Sequence, residues 1–218
     1  MTSTRGDGGS STGRTAVSRA GTDARREPVR PGAGGRPRLA GDFTRTLGRF
    51  STGDYDAGRS YGWRVAWFVA QNLLFDRWWF PSRARPALLR AFGAHVGTGC
   101  VIRHGVRIHW PWYLTLGNDV WVGEFAWLHT LVPITVEDDV CISQRACVVT
   151  GSHRYDEPGF DYDNGPIVLR HGCWIGAGAM VLRGVTVGRN AVVGAGAVLP
   201  HDLPAHTART AAGEERPL

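Results

Sequence analysis

Residues 169–204 read LRHGCWIGAGAMVLRGVTVGRNAVVGAGAVLPHDLP. Within this stretch Leu169, Ile175, Val181, Val187, Val193 and Leu199 place an aliphatic side chain at every sixth position. The fourth residues of these hexads are Gly172, Gly178, Gly184, Asn190, Gly196 and Asp202, all turn formers. The fifth residues, Cys173, Ala179, Val185, Ala191, Ala197 and Leu203, are mostly small, as a second inward side chain in a narrow interior must be. A six-residue period with its own turn former is the signature of a solenoid made of short strands and tight corners. Three hexads close one coil, and stacked coils pair their strands in parallel about 4.8 Å apart.

Upstream the pattern continues less cleanly. Val96, Ile102 and Ile108 form one set, Leu116, Val122 and Leu128 the next, and Val136, Ile142 and Val148 a third, with two extra residues between successive sets. About five coils fit between Val96 and Pro204, so the expected class is mainly β, a parallel β-helix over 95–204. A loop over 153–168 interrupts it before the frame resumes near Leu169. Loops on repeat scaffolds commonly carry function. Ahead of the coils, residues 61–94 are expected to be helical. WRVAWFVAQNLLFDRWWF at 63–80 is apolar on nearly every side and ends at Pro81, and a second short helix runs from Pro86 to Phe92. The first helix is too short to span a bilayer. It suits packing against the main domain or a sister subunit, with peripheral membrane contact as the alternative.

Composition narrows the function classes. The net charge of +6 is concentrated in residues 1–40, a Gly/Ser/Arg-rich stretch with too few large apolar groups to offset the entropy of ordering. Residues 1–60 are therefore expected to be a disordered tail and linker, and 205–218 a C-terminal tail. All 25 basic residues are arginine, which argues against a dedicated nucleic-acid face. Cys100, Cys141, Cys147 and Cys173 have neither C-x-x-C nor finger spacing, so buried thiols are expected in place of a zinc site or disulfide framework. The opening segment lacks the apolar core of a signal peptide, so a cytoplasmic protein is expected.

The stretches LLRAFGAHVG (88–97), HWPWYLTLGNDVWVGE (109–124), VCISQRACVVTGSHRYDEPGF (140–160) and GPIVLRHGCWIGAGAMVLRGVTVG (165–188) resemble the hexapeptide-repeat acyltransferases, and within them the WcaF-like colanic acid biosynthesis acetyltransferase group. The TGSH-x-Y-x-x-P-x-F segment is the most specific of these. The resemblance implies a left-handed coil, a homotrimer with sites at subunit interfaces, acetyl-CoA as co-substrate in a groove between neighbouring prisms, a saccharide hydroxyl as acceptor and no metal. It maps the catalytic base onto His153 and the CoA groove onto Trp174, Gly176, Ala177 and Ala195. Where related sugar acetyltransferases carry an asparagine this chain has Gly123 or Glu124, so Glu124 is a substrate-binding candidate. The atypical HTARTAAGEERPL ending leaves the C-terminal CoA contacts unassigned.

A histidine suits acetyl transfer to an alcohol because its intrinsic pKa of about 6.5 lets it take a hydroxyl proton and return it to a leaving thiolate near neutral pH. Spacing does not choose which of Asp156, Glu157, Asp161 and Asp163 would orient the His153 ring. Tyr155 and Asp156 are candidates for acceptor binding, and Tyr155 and Phe160 with Trp110 and Trp112 could wall a sugar ring. The other histidines, His95, His104, His109, His129, His171, His201 and His206, fall on corners and ends without a ligand triad. Alternatives are acetyl transfer to an antibiotic or amino sugar, and a catalytically silent trimeric scaffold. A placement at the inner face of the membrane rests on the 63–80 helix alone.

Overall fold

The structure, a computed structural model, describes Thr44 and residues 46–218. Of the expected disordered tail and linker over 1–60, residues 1–43 and 45 lie outside the described residues, whereas 46–60 are bonded to the coil domain, with Trp112 Nε1 donating to Ala57 O (2.7 Å) and Thr46 N to Pro158 O (3.1 Å). From His95 the chain winds into a three-faced parallel β-helix. Face A stacks His95–Val96, Leu114–Leu116, Ile134–Val136, Ile167–Leu169 and Thr186–Val187. Face B stacks Val101–Ile102, Trp121–Val122, Cys141–Ile142, Trp174–Ile175, Val192–Val193 and Thr207–Arg209. Face C stacks Arg107–Ile108, Trp127–His129, Cys147–Val149, Met180–Val181 and Val198–Leu199. The hexad aliphatics fall in register, for example Ile175 on Ile142 and Val193, and Val181 on Val148 and Leu199. They fill the interior together with the small column Val106, Ala126, Ala146, Ala179 and Ala197. Each fully buried large aliphatic contributes roughly 1.5–3 kcal/mol. At the corners, Gly172, Gly178, Gly184, Asn190 and Gly196 take positive φ, the conformation that selects these residue types.

Three further features differ from the expectations. The segment after Pro204 is not a tail: Leu203 bridges to Val187 and Thr207–Arg209 pairs in parallel with the last complete coil, starting a sixth turn. Glu215–Pro217 folds back antiparallel on Thr207–Arg209 and closes that end of face B. This was hidden because the added strand lacks the aliphatic hexad and is held by backbone pairing, with the Arg209 guanidinium donating to Val198 O and pairing with Glu215. Second, the helix over 63–80 stops early. α1 spans Tyr61–Ala70 and continues as a π-helical turn, Gln71–Phe75, while α2 spans Arg85–Ala91. Arg85, buried to 1 %, stabilises this ending: its guanidinium donates to Phe75 O (2.9 Å) and Arg77 O (2.6 Å), carbonyls left where the helix ends, and to Ile102 O (3.3 Å) on the first coil. Third, of the thiols only Cys173 is fully buried; Cys100, Cys141 and Cys147 are partly buried, with Cys141 and Cys147 at outward-facing strand positions.

Candidate active site

Face C meets face A at an edge that is wider in the first coils than elsewhere. Eight positions separate Ile108 from Leu116 and Leu128 from Val136, against six between neighbouring hexads, and the long loop leaves from the same edge of the third coil. The extra backbone is tied down by two buried threonines, one above the other. Thr130 Oγ1 accepts from Trp110 N (2.7 Å) and donates to Trp110 O (2.8 Å). Thr150 Oγ1 accepts from Leu131 N (3.0 Å) and Val132 N (3.3 Å) and donates to His129 O (2.6 Å). These bonds hold open a cavity of about 440 Å³ walled by Tyr55, His109, Trp110, His129, His153 and Tyr162.

His153 stands at the root of the loop, where it bridges in antiparallel fashion to Tyr162. Its Nδ1 lies 2.8 Å from Phe160 O. A carbonyl can only accept, so Nδ1 carries a proton, and in the neutral imidazole this tautomer leaves the lone pair on Nε2. The Phe160 ring stacks on the imidazole at 4.2 Å with 6° between planes, and Tyr162 and Phe50 pack beside it at 5.2 and 5.6 Å. Phe160 has a φ of 54°, a left-handed conformation that costs a non-glycine residue roughly 1 kcal/mol. The ring is thus oriented by a backbone carbonyl and aromatic packing, in place of the loop carboxylates considered from sequence. Glu157 pairs with Arg154, and Asp163 pairs with Arg183 and so ties the loop to the fourth coil.

Facing His153 are two imidazoles that spacing had left scattered. His109 and His129 lie 5.0 Å apart, His109 against Trp110 and His129 against Trp127. Burial and the neighbouring His129 push His109 down to about 4, and burial lowers His129, so both are neutral at physiological pH. His129 can lie so close because position 151 is glycine: a Cβ there would stand 2.9 Å from His129 Cε1 and 2.7 Å from Leu131 Cδ1. Tyr55 accepts a bond from Trp110 Nε1 (2.7 Å), which leaves its own hydroxyl hydrogen to donate, and burial raises its pKa to about 12. Sequence reasoning missed Tyr55, His109, His129 and Tyr162. The two-residue excess at one edge of successive coils was the signal that could have found the histidines.

The remaining candidates lie elsewhere. Glu124, Ala177 and Ala195 share the edge between faces B and C, in a column continued by backbone bonds from Arg145 N to Glu124 O, Gly178 N to Gln144 O and Gly196 N to Ala177 O. Glu124 is held by Arg103 at 3.0 Å. Ala177 and Ala195 are exposed, and a Cβ on Gly178 or Gly196 beside them would meet nothing within 4 Å, so the edge is open enough for an extended chain to lie along it. Trp174 is half-exposed on face B and donates to Ser143 Oγ (2.8 Å), while Gly176 is buried beneath the Ala195 backbone. Within one chain none of these lines the His153 cavity, nor do the exposed Tyr155 and the half-buried Asp156. Trp110 does line it, and Trp112 stacks behind at 5.0 Å. Among the described residues no group of three or more His, Cys, Asp or Glu side chains is arranged to hold a metal ion.

A parallel coil of hexads with a histidine at the root of its one long loop is the architecture of a hexapeptide-repeat transferase, and residues 166–201 match the bacterial transferase hexapeptide (six repeats) family. The chain is 41% identical over 143 residues to the putative colanic acid biosynthesis acetyltransferase WcaF of Escherichia coli K12, covering 64% of this chain and 78% of that protein. It therefore belongs to the WcaF-like acetyltransferases and is an acyltransferase. It is also 29% identical over 130 residues to the galactoside O-acetyltransferase of the same organism, covering 55% of this chain and 61% of the relative. The fold is shared with a hexapeptide-repeat acetyltransferase of Vibrio cholerae solved with acetyl coenzyme A (TM-score 0.67, 22% identity, 78% of this chain and 94% of that one).

Proposed function

We infer that the protein moves an acetyl group from acetyl-CoA to a hydroxyl of a saccharide or polysaccharide precursor, with His153 as general base in a ternary complex. The observation that carries this reading is the His153 imidazole itself: its proton is fixed on Nδ1 by Phe160 O, and Nε2 remains free beside an aromatic cavity. In the reaction Nε2 takes the acceptor's hydroxyl proton as the oxygen attacks the thioester carbonyl carbon. The C–S bond then breaks, and the imidazolium returns the proton to the thiolate. The Tyr55 hydroxyl, kept protonated by burial, is a donor for the oxyanion or for the acceptor. Neutral His109 and His129 offer further hydrogen bonds to sugar hydroxyls, and Trp110 supplies a flat apolar wall.

In this reading the protein is a cytoplasmic homotrimer, and each site forms between two chains. The His153 edge of one chain faces the edge of its neighbour that carries Glu124, Ala177 and Ala195, and acetyl-CoA lies along the open small-residue column with Trp174 and Gly176 behind it. The separation of the two sets within one chain supports this arrangement. The relatives named for galactoside and colanic acid acetylation favour a saccharide acceptor.

The test is transfer from labelled acetyl-CoA into nucleotide sugars and envelope saccharides, wild type beside His153→Ala, read by mass spectrometry. The expected result is an acetylated sugar whose formation falls about 10²–10⁴-fold in the variant while acetyl-CoA binding persists. Unchanged turnover in His153→Ala would overturn the assignment of the base. An alkali-stable amide product would move the acceptor to an amino sugar.

A further inference from the structure

The helical segment ahead of the coils carries a buried stripe and, beside it, an exposed apolar one. Trp67, Gln71 and Phe75 form the buried stripe, with Trp67 Nε1 donating to Ile108 O (3.0 Å) and Gln71 Oε1 accepting from Ile108 N (2.8 Å). Tyr61, Val65, Phe68, Val69 and Leu73 form the other stripe and are exposed, Phe68 to 64 %. Trp78 and Trp79 extend the same run, Trp78 exposed to 80 %. A contiguous apolar surface of this kind marks an interaction site. Its charges have one sign: between Tyr61 and Gly93 every exposed charged residue is an arginine, namely Arg77, Arg83 and Arg90, and the only acidic residue, Asp76, is half-buried. Apolar side chains, tryptophans and unopposed cations together suit the boundary between lipid headgroups and acyl chains. Among the described residues no helix is long and apolar enough to cross a membrane.

We propose that residues 61–83 seat the protein on the surface of an anionic lipid bilayer, with Phe68, Leu73 and Trp78 entering the acyl boundary and Arg77 and Arg83 meeting lipid phosphates. A second copy of the same face is a poorer occupant, because it would bring arginines together with no exposed carboxylate to oppose them. The face also opens toward the chemistry. Phe68 lines a groove of about 420 Å³ together with Arg107 and Trp127, and that groove shares His109 and Trp110 with the His153 cavity. An acceptor carried on a lipid would thus reach His153 from the bilayer side; this consequence rests on the acetyl-transfer reading, whereas the docking does not.

The experiment is co-sedimentation of the full chain with phosphatidylcholine vesicles, with and without phosphatidylglycerol. Binding is expected with phosphatidylglycerol at low salt, and at least roughly tenfold weaker partition on phosphatidylcholine alone or for Arg77→Gln/Arg83→Gln. Phe68→Ser/Trp78→Ser should lose binding as well, Arg77→Lys/Arg83→Lys should keep it, and His153→Ala should bind like wild type, which separates docking from catalysis. Both exposed-face variants keep the arginine-rich residues 1–40, so attraction by that segment cannot mimic the result. No sedimentation of wild type, or sedimentation indifferent to these variants, overturns the proposal. So does a change of oligomeric mass in Phe68→Ser/Trp78→Ser by light scattering, which would show a second copy on this face.

Discussion

Thr150→Val offers a test of how the cavity is held open. The substitution preserves side-chain shape and removes one hydroxyl from a fully buried position. That hydroxyl accepts from Leu131 N and Val132 N and donates to His129 O. Leu131 N keeps a second acceptor, His129 O at 3.2 Å, and so loses one bond of two, while His129 O keeps the Leu131 and Thr150 N–H groups, both at 3.2 Å, and loses one of three. Val132 N loses its acceptor outright. One orphaned amide costs about 1–3 kcal/mol and two lost bonds about 0.5–1.5 kcal/mol each, which places the total near 2–4 kcal/mol once mutual relaxation is allowed. For a domain of this size that corresponds to a fall of roughly 5–15 °C in Tm. Thermal and urea unfolding followed by circular dichroism, at matched protein concentration, would measure it, with Thr150→Ser expected within about 1 kcal/mol of wild type. Because the same hydroxyl positions the His129 backbone, KM for the acceptor should rise while KM for acetyl-CoA stays constant. A loss under about 0.5 kcal/mol in Thr150→Val would show that the wide edge does not depend on the threonine ladder.

Acid sensitivity should follow from the buried imidazoles. His109 titrates at about 4 in the fold against about 6.5 in an unfolded chain, so its contribution is complete above 6.5 and is lost as pH falls toward 4, where the unfolded chain binds the proton first. Stability measured from pH 7 to 4 should therefore fall less steeply in His109→Gln, and equal slopes would contradict the assignment. Asp163→Asn should free the loop from Arg183, raise acceptor KM severalfold and speed proteolytic cleavage within 154–162; an unchanged cleavage rate would deny the tether. Arg85→Met leaves the carbonyls of Phe75, Arg77 and Ile102 without the guanidinium and should cost about 3 kcal/mol or more in denaturant unfolding, and Arg85→Lys should recover only part, because one ammonium cannot reach all three.

The sequence by itself determined the coil. Inward aliphatics at every sixth residue and turn formers at every fourth place of a hexad are local requirements, repeated until only one packing satisfies them all, and the six aliphatics from Leu169 to Leu199 are each fully buried. The loop and His153 at its root were legible for the same reason, as a break in an otherwise regular frame. What only the tertiary structure decided are relations between coils. His109, His129 and His153 are far apart along the chain, and they meet because each sits on the same edge of a successive coil. Tyr55, in a segment with no repeat, reaches that edge by its bond with Trp110. The orienting partner of His153 is a main-chain carbonyl, and every residue has one, so no side-chain pattern could point to Phe160. The strand at Thr207–Arg209 likewise rests on backbone pairing with the coil before it, an interaction that depends on position in the stack and leaves no mark in residue type.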